Sequence, residues 1–263
     1  MTKKFAVCGD SFAAALTEKP VAGQIWHENE GLEGTHYSEI LCNRLGYTPL
    51  HLARGAMSNG GIRLQVETAI EQNVDFIYAI TTGSDRLEFR GAGADNQPFN
   101  WRKASTEITY SYHGDVSCLS PDLGNNTIHS ETINNILENT YTDPNAPTLE
   151  QKDALQQYFV HLHEPDLKHR QDSWIFSSLV TLLRRSNIPF LLVDVSNFCL
   201  YPDIEVDYDN RVVNGSKVHQ LNPRHYLDDH SGPTARYHTS PETQTRIAWY
   251  TEEYITKENL LDV

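Results

Sequence analysis

No stretch of this chain approaches the roughly 18–20 consecutive apolar residues of a membrane span, and Met1-Thr2-Lys3-Lys4 is not followed by the apolar core of a signal peptide. Neither a membrane span nor a secretory leader is expected, and no membrane partner. Basic residues are also scarce: 21 Lys and Arg stand against 35 Asp and Glu, a formal net charge of -14. A surface of that sign repels phosphate backbones and anionic lipid, which argues against nucleic acid as a main partner. Cysteine is sparse and scattered at Cys8, Cys42, Cys118 and Cys199, with no close pair of the zinc or redox type. Cys8 falls in an expected core strand and Cys42 on an expected helix face, so buried free thiols and a reducing compartment are expected. Asn125-Asn126-Thr127 and Asn214-Gly215-Ser216 match glycosylation acceptors, but with no leader they are read as chance. Internal repeats are absent. Hydrophobic residues make up only 39% of the chain and mean hydropathy is -0.51, so polar excursions from the core are expected.

What is present alternates. At 263 residues the chain suffices for one large α/β domain. Phe5 to Cys8 read as a first strand, and Thr35 to Leu45 as a helix stopped by Gly46. Thr48 to Ala53 form a second strand, and Ile62, Val66, Ala69 and Ile70 mark a helix ending near Asn73. Val74 to Thr82 is a near-continuous apolar run, as a central parallel strand requires. Helical spacing returns over Leu149 to Leu162 and Trp174 to Leu183. Phe190 to Val195 is another buried strand, and Ser240-Pro241-Glu242 opens a closing helix. Residues of about 90–147 and 196–236 are rich in polar and turn-forming types and read as irregular insertions within the single domain 1–263. A short helix around Glu131 to Leu137 is the one element expected in the first of them. Strand and helix in alternation predict a three-layer α/β/α sandwich with a mainly parallel, flavodoxin-like central sheet.

Four segments carry chemistry, each following an expected strand or preceding the last helix. Gly9-Asp10-Ser11 ends the first strand, where a hydroxyl is exposed at the carboxyl edge of the sheet beside helix-start amides. Leu52 to Gly61 follows the second strand, Thr82-Gly83-Ser84-Asp85 follows the third, and Tyr237-His238-Thr239-Ser240-Pro241 precedes the closing helix. Taken in this order, the blocks resemble those of the SGNH (GDSL-type) hydrolases. The stretch Glu71 to Phe89 is similar to SGNH-like proteins of bacteriophages. The resemblance implies that Ser11 is a nucleophile and His238 its base. It also implies an oxyanion hole from the amides of Ser11 and Gly55, with Gly60 and Gly61 as alternatives to Gly55.

Two positions depart from the family pattern. The family places an aspartate three residues before the histidine, where this chain has Ala235; Asp228 and Asp229 are the candidate substitutes, and a backbone carbonyl is another. Asp85 stands where the family's oxyanion asparagine is expected. A carboxylate cannot donate to an oxyanion, so Arg86 or Arg54 would have to neutralise Asp85 or replace the donor. Asn59, Arg54 and Arg86 are the candidate substrate-binding residues. The plainer readings stand beside these: Ser11 as a helix cap, Gly55 as a turn residue, and Asp85-Arg86 as a structural ion pair. Trp101, Tyr110 and Tyr112 could stack on sugars or pin their loop. His161 and His163 do not share a helix face, and His225, Asp228, Asp229 and His230 match no strong metal motif, so no metal or other cofactor is expected.

The function expected from the resemblance is a serine esterase or deacetylase, removing an acyl group such as acetyl from an acylated carbohydrate or small ester. The alternative is a catalytically silent SGNH-like module, binding glycans or serving as a structural part of a virus particle. The expected location is accordingly cytoplasmic or virion-associated.

Overall fold

A computed structural model describes residues 3–10, 12–13, 36–53, 57–84, 86–90, 102–103, 108–113, 116–121, 154, 157–158, 161–201, 204, 206–224, 226 and 241–261. Its centre is a five-stranded, all-parallel sheet of β1 (Lys4–Cys8), β2 (Thr48–His51), β3 (Phe76–Ile80), β8 (Phe190–Asp194) and β9 (Val212–Asn214), in the order β2-β1-β3-β8-β9. In the register, Phe5 faces both Pro49 and Phe76, Ile77 faces Phe190, and Leu192 faces Val212. Pro49 cannot donate to a ladder, which suits β2 to the edge of the sheet.

The pleat divides the apolar side chains between two cores, because successive residues of a strand point to opposite faces. Phe5, Val7, Phe76, Tyr78, Leu191 and Val193 pack under α1 (Tyr37–Leu45) and α4 (Pro241–Lys257). Ala6, Cys8, Ile77, Ala79, Phe190 and Leu192 pack under α2 (Asn59–Glu71) and α3 (Pro165–Arg185). Two helices on each face of one sheet make the three-layer α/β/α sandwich of flavodoxin-like strand order. Among the described residues, no helix is long and apolar enough to cross a membrane.

Local chemistry sets the helix ends. His36 caps α1, its ring accepting from the Ser38 amide while Glu39 reaches back to the His36 amide. Gly46 closes α1 at φ 75°, a left-handed turn that glycine adopts without Cβ strain. Ser58 caps α2, its Oγ accepting from Gly61 N at 3.2 Å, so the Gly61 amide is committed to the cap. Pro165 opens α3 behind the Glu164 cap. Cys8 and Cys42 are buried free thiols.

Two expectations need correction. The stretch after Phe89 is not wholly irregular: β4 (Leu87–Arg90), β5 (Arg102–Lys103), β6 (Ile108–His113) and β7 (Val116–Pro121) form an antiparallel sheet in the order β4-β7-β6-β5. Only Gly114 and Asp115 separate β6 from β7, the spacing of a tight hairpin. The second irregular stretch contains β9, three residues that complete the parallel sheet. Asn214 in β9 is buried and donates to Asn197 Oδ1 at 2.7 Å, which suits a structural role better than a glycosylation site.

Candidate functional site

In the strand order, the chain leaves β1 toward β2 on one side and leaves β3 toward β8 on the other, so the loops after β1 and β3 lie at the reversal. Open parallel sheets bind ligands at such a point. The first loop begins at Gly9, whose φ of 155° disfavours a side chain; a Cβ there would meet Ala13 Cβ at 2.7 Å. Asp10 follows, fully buried. Its Oδ1 accepts from Phe12 N at 2.9 Å, and its carbonyl from Ala13 N at 3.0 Å. The residues on either side of Ser11 are therefore bonded to one another.

The other carboxylate oxygen of Asp10 gathers three side chains from two further segments. Thr82 Oγ1 donates to it at 2.8 Å, Arg86 Nη1 lies at 2.9 Å, and Arg224 Nη2 at 2.5 Å. Arg224 Nη2 also donates to Thr82 Oγ1 at 2.6 Å, and its guanidinium sits 5.0 Å from the centre of the Phe12 ring. Arg86 Nη1 also donates to the Met57 carbonyl at 2.8 Å, which ties in the segment before α2. Burial opposes the charge on Asp10, but the two guanidiniums and the Phe12 amide outweigh it and hold the carboxyl well below the ordinary carboxylate range.

Two carboxamides from α2 pin the same loops from below. Gln65 Oε1 accepts from Gly9 N at 2.7 Å and its Nε2 donates to Gly9 O at 3.3 Å. Asn59 treats Thr82 in the same way, accepting from its amide at 2.9 Å and donating to its carbonyl at 3.0 Å. Asn59 Nδ2 reaches Asp172 Oδ2 at 3.0 Å as well, and Lys168 pairs with the opposite oxygen of Asp172. All four side chains are buried. Each bracketed peptide is held on both its donor and its acceptor, as a neighbouring strand would hold it.

The start of α4 belongs to the same end of the sheet. Gln244, in its first turn, accepts from the Tyr37 amide at 2.8 Å. The buried Tyr37 hydroxyl is pushed up chiefly by burial, then by Tyr78, and also by the charge of Asp10. The first turn of α4 is thereby joined to the start of α1.

Of the expected site residues, Asn59 and Arg86 are described; both enter this network, bonded to protein groups. Ser11, His238, Asp228, Asp229, Gly55, Asp85 and Arg54 lie outside the described residues. So do His225, His230, Trp101 and the helix expected around Glu131. Sequence reasoning missed Asp10, Arg224 and Gln65 as site-forming groups. Gln65 left a trace, a polar residue on the apolar stripe of Ile62, Val66 and Ala69. Arg224 left none, because its partner is 214 residues away. In comparison with known proteins, no family model matches the chain and no curated protein matches it.

Proposed function

We propose that this chain is a serine ester hydrolase of the SGNH type, removing an acyl group such as acetyl from an acylated carbohydrate or small ester. The observation that carries the reading is the clamped Gly9-Asp10 turn. It ties the turn that precedes Ser11 in the sequence to the β3 loop, at the reversal of strand order, which supports the reading. In the proposed cycle, Ser11 Oγ attacks the ester carbonyl as His238 takes its proton, and His238 then returns that proton to the departing alcohol. Water attacks the acyl-Ser11 carbonyl, again giving a proton to His238, and the carboxylic acid leaves as Ser11 is reprotonated. The amides of Ser11 and Gly55 hold the oxyanion. Asp228 or Asp229 orients His238 in place of the acid missing at Ala235.

The test is hydrolysis of p-nitrophenyl acetate by the full chain. Ser11→Ala should abolish turnover with the melting temperature retained, and a serine-directed phosphonate should label Ser11. Asp85→Asn should raise turnover by up to about 10²-fold if that position is an oxyanion donor lost to a carboxylate. If wild-type protein neither turns over the ester nor takes the label, the reading fails. The silent module then becomes the better reading, favoured by Ala235, by Asp85, and by the engagement of Asn59 and Arg86 with protein groups.

A further inference from the structure

Two guanidiniums converge on one carboxylate oxygen of Asp10, where a single one would balance its charge. Arg86 is the buried partner, its side chain only 10% exposed and 2.9 Å from Asp10 Oδ2. Arg224 meets the same oxygen from the solvent side, with 27% of its side chain in water. Its Nη2 spends both hydrogens, one on Asp10 and one on Thr82 Oγ1. Its Nη1 has no partner among the described residues and keeps contact with solvent.

Among the described residues, no carboxylate besides Asp10 meets Arg224. Asp172 is taken by Lys168, and Asp194 lies across β3 under neutral donors. Counted over Asp10, Arg86 and Arg224, the cluster has one positive charge in excess, and the open face of that charge is on Arg224. An unbalanced charge in a partly buried place is costly. Two further donors at this end of the sheet, Arg224 Nε and Ser84 Oγ of the β3 loop, are buried without a partner among the described residues. Buried donors left unpaired are costly too, so an acceptor is expected beside them.

We propose that Arg224 is an anion-binding residue of the candidate site, receiving through Nη1 a carboxylate carried by the ligand. The charge selects a monoanion: one carboxylate balances the excess, whereas a phosphate dianion would overshoot it. A guanidinium offers that carboxylate charge-assisted, in-plane donors. Through Asp10 and Thr82, Arg224 is fixed to the loops after β1 and β3, at the reversal of strand order where open sheets take ligands. On the hydrolase reading the ligand is an acylated acidic sugar; that part rests on the reading, whereas the carboxylate contact does not.

The experiment titrates the isotope-labelled full chain with sodium D-glucuronate and, separately, with D-glucose and inorganic phosphate, following the amide signals of Phe12 and Thr82 by NMR. Glucuronate should shift both signals at millimolar concentration, and glucose should leave them in place. Arg224→Gln should weaken glucuronate by about tenfold or more, as loss of a charge-assisted contact does, and Arg224→Lys, which keeps the charge, by less. Arg86 stays with Asp10 in both variants; should either unfold, the wild-type comparison of glucuronate with glucose decides alone. No shift with glucuronate would overturn the proposal. So would an equal response to glucose, tighter binding of phosphate, or glucuronate binding that Arg224→Gln leaves intact. Turnover of p-nitrophenyl acetate by a protein that ignores glucuronate would sink this inference and spare the hydrolase. Glucuronate binding without any turnover would support it and sink the hydrolase.

Discussion

Asp10 and Asp194 hold similar places in the fold yet meet opposite electrostatic fates. One follows β1 and the other ends β8, the two strands that flank β3, and both are fully buried. Asp194 is not short of hydrogen bonds. Its Oδ1 accepts from the amides of Ser196 and Asn197 and from Thr81 Oγ1, and its Oδ2 from Phe198 N and Tyr208 Oη. Every one of those donors is neutral, and burial still pushes its carboxyl up. Asp10 has guanidiniums and falls. The charge of the partners, and not the number of bonds, separates the two. The Asp194 cluster knots the start of the β8–β9 connection, whereas the Asp10 cluster joins residues from four segments of chain at the candidate site.

The largest effect expected is from Asp10→Ala, which leaves Arg86 and Arg224 facing each other without their carboxylate. Breaking a buried pair from one side costs about 3–5 kcal/mol, so urea or thermal melts should show a severe loss. Arg86→Met in the same background should return part of it, and no recovery would show that the pairing is not what Asp10 supplies. Asp194→Asn should cost less, about 1–3 kcal/mol, because hydrogen bonds are lost but no cation is stranded. A loss larger than that of Asp10→Ala would reverse the comparison.

Acid sharpens it through opposite signs. The folded pKa of Asp10 lies below its unfolded value of about 3.9, so its contribution is complete above that pH and is lost as the pH falls toward the folded value. The folded pKa of Asp194 is raised, so its contribution is complete below about 3.9 and is lost as the pH rises through the folded value. Melts over this range should therefore show Asp10→Asn with a flattened acid limb and Asp194→Asn with the opposite change of slope. The smallest effect concerns thiols. Burial, with Glu39 alongside, pushes the Cys42 thiol up to about 12. Iodoacetamide at about pH 8 should spare Cys42 in the native state, and rapid labelling would place it outside the core.

Much of the parallel sheet was legible because its strands announce themselves locally. The apolar run from Val74 to Ile80 and its counterpart at Phe190 to Asp194 lie at the centre of the sheet, and Gly46 and Ser58 bound their helices by short-range chemistry. The antiparallel sheet was half legible. Ile108, Tyr110 and Tyr112 alternate with polar residues as a strand does, but the surrounding Gly, Asn and Ser masked the pattern. β9 was not legible, since Val212, Val213 and Asn214 are too few to show a period.

The sequence by itself determined the alternation of elements, the two faces of the central strands and the ends of several helices, because these depend on neighbours within a few residues. It also marked Gly9-Asp10-Ser11 as a strand-end turn. Only the tertiary structure decided what holds that turn in place. Gln65 meets Gly9 across 56 residues of chain, Asn59 meets Thr82 across 23, and Arg224 meets Asp10 across 214. Such pairings have no local signature, because a carboxamide or guanidinium finds its partner only once the sheet has stacked their segments together and burial has made an unpaired polar group costly.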